Sequence, residues 1–271
     1  MIYINDLHHA VDNVLLRLFA DDTGSFNYSK DIASLLKIAK DNFIKLYEWC
    51  KDNKLTINTD KTCFLIFHAR NKPVPADLKT LAIEELGIVL NRVPSVQYLG
   101  VYIDETLNWH DHVNHVCQSL VKYFGIFNQI KHFVSKKLAR QLYFAFIYSR
   151  IKYGIEVYGT CASSILNKIQ IMQNRLLKLL LRIHYRTPTD ALHSNIQVLK
   201  VKDIFTTNIL AFVNDCLTGN CPDLFKNYFP VQRATYALRS QGSLVVKRTR
   251  LSLAAQGCYV LGAVLWNKLD V

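Results

Sequence analysis

The chain has 271 residues, half of them hydrophobic and a fifth charged, enough to bury a sizeable core and too apolar for a linker or disordered tail. One large domain or two small ones is the expectation. Lys and Arg number 33 against 21 Asp and Glu, a net +12 that suits a polyanionic partner, nucleic acid or anionic membrane, better than a cationic one, with a merely basic soluble protein as the plain alternative.

In chain order, the apolar run Val14 to Phe19, broken by Arg17, ends in Ala20-Asp21-Asp22-Thr23-Gly24, and Ser25 to Tyr28 turns extended again. This predicts a β-hairpin with two acids at its tip. Ser29 is placed to cap a helix in which Ile32, Leu35, Leu36, Ala39, Phe43, Leu46, Tyr47 and Cys50 recur at three- and four-residue steps until Asp52-Asn53. Short strands are predicted at Leu55–Asn58 and Thr62–Phe67, around Thr59-Asp60-Lys61. A loop with Pro73 and Pro75 follows, then strands at Ile88–Val93 and Tyr98–Ile103.

Beyond Trp109 the period becomes helical. Val113, Val116, Cys117, Leu120, Phe124 and Phe127 mark one helix; a second, capped by Ser135, carries Leu138, Leu142, Ala145 and Phe146. A third runs through Ile165, Ile169, Met172, Leu176, Leu180 and Ile183 until Pro188. A fourth is expected at about 201–217, before a breaker at 218–222; the last fifty residues are basic and poorly periodic. The fold class expected is α+β: a small, mainly antiparallel sheet with a packed helix, then a helical bundle.

Seven cysteines without paired spacing read as buried small hydrophobes in a reducing compartment. No signal-peptide pattern opens the chain. Its longest uncharged apolar stretch, Leu253 to Trp266, is interrupted by Gln256 and two glycines, well short of about 18 residues. The expectation is an intracellular protein, cytoplasmic or nuclear, that is neither secreted nor membrane-bound. Lys247-Arg248-Thr249-Arg250 is a faint nuclear-signal candidate.

Adjacent carboxylates beside an apolar strand have two readings: a solvated turn, in which Asp is common, or a site for a hard divalent cation, which takes oxygen ligands. The surroundings carry a resemblance. Phe19-Ala20-Asp21-Asp22-Thr23 resembles the aromatic-Ala-Asp-Asp signature of reverse transcriptases, in the form found in jockey-like non-LTR retrotransposons. Further blocks match in the same order. They are Ile2 to Leu7; Trp49, Asn53-Lys-Leu-Thr-Ile-Asn58 and Lys61-Thr62; and Val96 to Asp104 with Leu107, Trp109 and His112. Then come Ser149 to Gly154, Ile169-Gln170 and Gln173-Asn174, and finally Trp266 to Leu269.

The resemblance implies a partial polymerase palm over residues 1–104, a helical thumb over 105–189 and a basic carboxyl-terminal region over 190–271. It gives Asp21 the role of metal ligand and Asp22 that of a second acid at the metal, with Mg²⁺ as cofactor in two-metal nucleotidyl transfer. Lys61 falls where the family has a lysine near the incoming triphosphate; in isolation it also reads as a surface turn lysine. Leu99 and Gly100 fall in the primer-grip turn, although a plain hairpin glycine would look the same. The implied partners are an RNA template with a DNA primer, or their duplex, and dNTP; oligomeric state is open.

The family's core also needs an aspartate from an earlier palm strand, fingers and a template grip, none of which has a counterpart here. Asp6 and Asp12, in the polar connection before the hairpin, do not supply that acid. The expectation is therefore a polymerase fragment inactive alone. A non-catalytic nucleic-acid-binding module and a non-functional remnant with an uncovered sheet edge and face are the rivals.

Lys168, Arg175, Lys178 and Arg182 would line one face of the third helix, with Lys131, Lys136, Lys137 and Arg140 near the preceding turn. Such a wall suits backbone phosphates of a duplex, and also suits an ordinary solvated helix face. His110, His112 and His115 are expected on a helix N-terminal surface rather than around a metal, and Cys216 and Cys221 lack zinc-knuckle spacing.

Overall fold

An apolar stripe needs a helix start, and Asp31 provides it: its carboxylate accepts the Ser34 amide at 2.8 Å, two residues beyond the expected Ser29 cap. In the computed structural model, which describes residues 4–11, 14–69, 71–184, 186–231, 243–250 and 252–269, the helix α1 runs Ile32–Asp52. The chain divides into two units, 1–96 with 104–107 and 97–103 with 108–271.

In the first unit, β1 (Leu15–Phe19) and β2 (Asp22–Phe26) form the expected hairpin. Val14, Leu16 and Leu18 alternate onto one face and pack with Leu7, Val11, Leu46 and Trp49. A second sheet joins β3 (Cys63–Phe64), β4 (Thr80–Ile83) and β5 (Ile88–Arg92) in the order β3-β5-β4, with β3 parallel and β4 antiparallel to β5. Leu81, Ile83 and Leu90 from this sheet pack with Leu36, Ala39 and Phe43 of α1. One helix thus serves two sheets, through different turns of the same stripe. The strand expected at Leu55–Asn58 does not form, the one at Thr62–Phe67 shrinks to two residues, and β4 went unpredicted. Glu105 closes this unit. Its partial burial alone would raise its pKa, but hydrogen bonds from Arg92 at 2.7 Å and from His68 hold the carboxyl below its usual range.

The second unit is mainly helical and takes in residues 97–103 of a hairpin made by β6 (Ser95–Tyr98) and β7 (Val101–Asp104). Where one strand was expected over Tyr98–Ile103, Leu99 and Gly100 make a turn, both at positive φ (47° and 79°), which breaks the extended run. Next come α2 (His110–Ile130) and α3 (Lys136–Leu142), the latter capped by Ser135 as expected. A π-helical segment, Tyr143–Tyr148, leads into α4 (Ser149–Lys152) and α5 (Ile155–Tyr158). Tyr143, Ile147, Ile151, Ile155 and Tyr158 are all fully buried, a continuous inward stripe through these short pieces. The helix α6 (Ser163–Leu180) packs on α2, and α7 (Asp190–Ile196) and α8 (Val201–Thr218) follow.

The poorly periodic end also has order. The helices α9 (Ser252–Gln256) and α10 (Cys258–Trp266) follow in chain order, and α10 packs on α8 around Val213, Cys216, Phe229 and Ala263. Asn267 pairs with both the amide and the carbonyl of Leu244, at 2.7 and 2.9 Å. All seven cysteines are free thiols; burial pushes Cys161 and Cys258 up to about 11 and keeps them protonated. No described helix is long and apolar enough to cross a membrane.

Candidate functional site: acidic hairpin, hairpin turn and basic faces

The hairpin register fixes the acids. Phe19 faces Asp22 across the strands, leaving Ala20 and Asp21 as the two-residue turn, with Ala20 at φ 52°. An alanine in the left-handed region is strained by about 1 kcal/mol, and a tight two-residue loop demands it here. Asp21 and Asp22 are both exposed. Asp22 shares the outer face with Leu15, Phe19 and Phe26, which are 50%, 56% and 39% exposed, so this apolar sheet face is left uncovered. Neither edge of the hairpin pairs with another described strand.

Two exposed carboxylates at one tip are the right donors for Mg²⁺, but a pair is too few to hold it, and no group of three potential ligands forms among the described residues. As it stands this donor set does not complete a magnesium site.

The Trp…Asn-Lys-Leu block is a helix stop. Lys54 takes the left-handed seat (φ 57°), its amide donates to Lys51 O and that of Leu55 to Cys50 O at 2.7 Å, the paired bonds of a Schellman motif. Asn53 adds a side-chain bond to Trp49 O at 2.9 Å. The Asn-x-x-Lys-Thr block is the next turn. The Asn58 carbonyl accepts from the Thr62 amide and hydroxyl, and its side chain accepts from the Lys61 amide at 3.2 Å. Lys61 is thereby set in an exposed turn.

In the second unit the Leu99-Gly100 turn is tied to the Ser149–Gly154 block. The Tyr153 hydroxyl donates to Leu99 O at 2.6 Å, and a Cβ on Gly100 would come within 3.2 Å of the Tyr153 ring. Gly154 lies at φ 68°, with Val101 3.0 Å from where its Cβ would be, so only glycine fits. Gln173, fully buried, donates to the Tyr143 hydroxyl at 2.7 Å and to Leu199 O at 2.9 Å, and Gln170 accepts the Val201 amide. His193 bonds Asn174 at 2.8 Å, so the Gln-Gln-Asn cluster of α6 bonds α7, the π segment and the start of α8.

Lys168 and Arg175 are exposed on α6, while Lys178 donates to Thr187 O at 2.6 Å. The helix stops at Leu180, short of the predicted extent. Arg182 lies beyond it at φ 55°, so the four basic residues do not share one helix face as expected. Arg182 and Lys136 both line a cavity of about 220 Å³, together with Val134, Leu180 and Leu192. Lys137 is exposed nearby in sequence, and Lys131 donates to Asn128. Arg140 stacks over Phe144 at 4.8 Å and donates to Ile196 O, which fixes its direction.

His112 overturns the expected histidine surface: it is buried, at 2% exposure, and its Nδ1 accepts the Tyr102 amide at 3.3 Å. Burial, and then the neighbouring His115, lower its pKa to about 4. The Leu-x-Trp-x-x-His block gave the available hint that His112 is an inward residue. The π segment, by contrast, has no signature in the sequence.

The chain matches curated RNA-directed DNA polymerases of mobile elements. It is 25% identical over 204 residues to the probable enzyme of transposon BS of Drosophila melanogaster, covering 72% of this chain and 22% of that protein. It is 23% identical over 195 residues to that of the mobile element jockey of the same species, covering 71% and 21%. To the jockey polymerase of Drosophila funebris it is 22% identical over 197 residues. The chain thus spans about a fifth of these relatives. No protein-family model and no solved structure matches it. The resemblance to jockey-like non-LTR polymerases is therefore also a resemblance along most of this chain.

Proposed function

We propose that this chain is a palm and thumb segment of an RNA-directed DNA polymerase that holds a template–primer duplex and does not polymerise on its own. The observation that carries the reading is the Phe19–Thr23 hairpin, with Asp21 and Asp22 at its exposed tip, inside an ordered series of family-like blocks. Those blocks have separate structural duties: helix stop, turn, hairpin turn and buried amide cluster. Partial palm over 1–104, thumb over 105–189 and basic region over 190–271 remain the divisions proposed.

Asp21 and Asp22 offer carboxylate oxygens where the family's metal chemistry occurs, and a third acid must be added before Mg²⁺ is held. The uncovered Leu15, Phe19 and Phe26 face supports that incompleteness, since further palm elements would bury it. Lys61 is proposed to face the triphosphate, and Leu99 and Gly100 the primer end. In the second unit Lys168, Arg175, Lys136, Lys137, Arg140 and Arg182, with Lys178, supply cations for backbone phosphates.

The second reading, a binding module without catalysis, rests on the same cations and on the incomplete acid set. Primer extension on RNA with Mg²⁺ tests the inactivity that both readings share: templated extension that is lost in an Asp21→Ala, Asp22→Ala variant would contradict it.

A further inference from the structure

Within the second unit a cavity of about 270 Å³ is lined by Gly100, His112, His115, Ser119, Ser149 and Arg150, with no carboxylate in its wall. The lining hydroxyls, with that of Tyr153, are engaged: Ser119 donates to Val116 O at 2.7 Å, Ser149 to Ala145 O at 2.6 Å and Tyr153 to Leu99 O at 2.6 Å. Three nitrogen donors are left. Arg150 is exposed and its guanidinium pairs with no acid among the described residues. The His115 ring lies tilted against Tyr102, at 4.9 Å between centroids, and forms no hydrogen bond among the described residues.

His112 is the informative one. Its Nδ1 accepts from the Tyr102 amide, so the neutral ring carries its proton on Nε2, and that buried Nε2 has no acceptor. An unmet donor shielded from water is costly and is uncommon in a settled fold. His112 is itself one of the residues that line the cavity.

We propose that this cavity is a phosphoryl-binding site, in which Arg150 makes a two-pronged contact to phosphate oxygens and the Nε2–H of His112 and the His115 ring complete the cradle. The planar guanidinium matches a phosphate's paired oxygens, and a wall without acids leaves the anion unopposed. The chemistry stands on the cavity alone; that the phosphate belongs to a nucleic-acid backbone rests on the proposed function.

The test uses the full chain in two arms. Inorganic phosphate is titrated while the imidazole resonances of His112 and His115 are followed. An RNA–DNA duplex is then bound by the wild type, by Arg150→Gln, and by Lys122→Gln, which removes the same charge from an exposed site on α2 outside the cavity. The expected result is that phosphate moves both resonances in wild type and not in Arg150→Gln, and that Arg150→Gln weakens the duplex about tenfold while Lys122→Gln weakens it about twofold. Resonance shifts with equal weakening in the two variants uphold the site and assign it to free phosphate. Selective weakening without resonance shifts overturns the cradle and leaves Arg150 as a surface contact to the duplex. Unmoved resonances together with equal weakening overturn the proposal, whereas the proposed function stands or falls separately, on whether wild-type duplex binding falls with salt.

Discussion

Gln173 is the most exacting stability test of the second unit. It is fully buried on α6, and its amide nitrogen serves the Tyr143 hydroxyl at 2.7 Å and Leu199 O at 2.9 Å, joining the π segment to the residue two positions before α8. Gln173→Leu keeps most of the volume and deletes both donors. Each of the two stranded partners costs about 1–3 kcal/mol, and the added apolar burial returns about 1 kcal/mol, so the net loss is about 1–5 kcal/mol. For a unit of this size that lowers the melting temperature by about 2–20 °C. Tyr143→Phe strands one amide hydrogen and loses about 1 kcal/mol; in the double variant the two losses overlap by about 1 kcal/mol. Urea unfolding of the four proteins checks the cycle. A Gln173→Leu loss under about 0.5 kcal/mol, or strict additivity, would refute the claim that this amide is the staple.

Three further predictions follow from single positions. Lys54→Gly relieves the left-handed seat at the end of α1 and raises stability by about 0.5–1 kcal/mol in thermal unfolding, whereas a loss would mean that the Schellman geometry is wrong. Gly100→Ala meets both φ 79° and the Tyr153 ring at 3.2 Å and loses about 1–3 kcal/mol, while Tyr153→Phe, which removes only the bond to Leu99 O, loses about 1 kcal/mol or less. His112 is held neutral in the folded chain down to about pH 4, so the unfolded chain takes up its proton first as pH falls. Stability is then full above about pH 6.5 and declines by about 1–2 kcal/mol, after allowance for solvent screening, as pH falls toward 4. In His112→Phe only the carboxylate-range decline remains, to which Glu105 contributes because its folded carboxyl titrates below the ordinary value. An unchanged profile in that variant would contradict the assignment.

Elements set by one residue's neighbours along the chain were legible in the sequence. The α1 stripe, the Ser135 cap and the acidic hairpin depend on local periodicity and capping, and they appear within a residue or two of where the pattern puts them. Backbone turns made without glycine or proline, and features that depend on partners distant in sequence, were not. Leu55–Asn58 has strand-like residues, yet the Schellman turn and the Asn58 turn take up its surroundings. The third helix ends early because Arg182 enters the left-handed region, and no proline or glycine there gives warning. His112 carries a polar name on a helix start, but its ring lies against Tyr158, at 4.6 Å between centroids, in a core that only the fold assembles. Of the candidate site, the acids could be located from the motif; that Lys136 and Arg182 line one cavity could not, because it depends on the chain's turn after α6.

The most direct test of the account is primer extension on an RNA template with Mg²⁺, using the purified chain beside Asp21→Ala, Asp22→Ala and a salt-titrated binding assay on the same duplex. The account predicts no extension from either protein and duplex binding that falls steeply with salt, because the cations hold backbone phosphates while the two hairpin acids leave the metal site short of ligands. Extension by the wild type that disappears in the double variant would contradict it, since Asp21 and Asp22 would then be sufficient for catalysis.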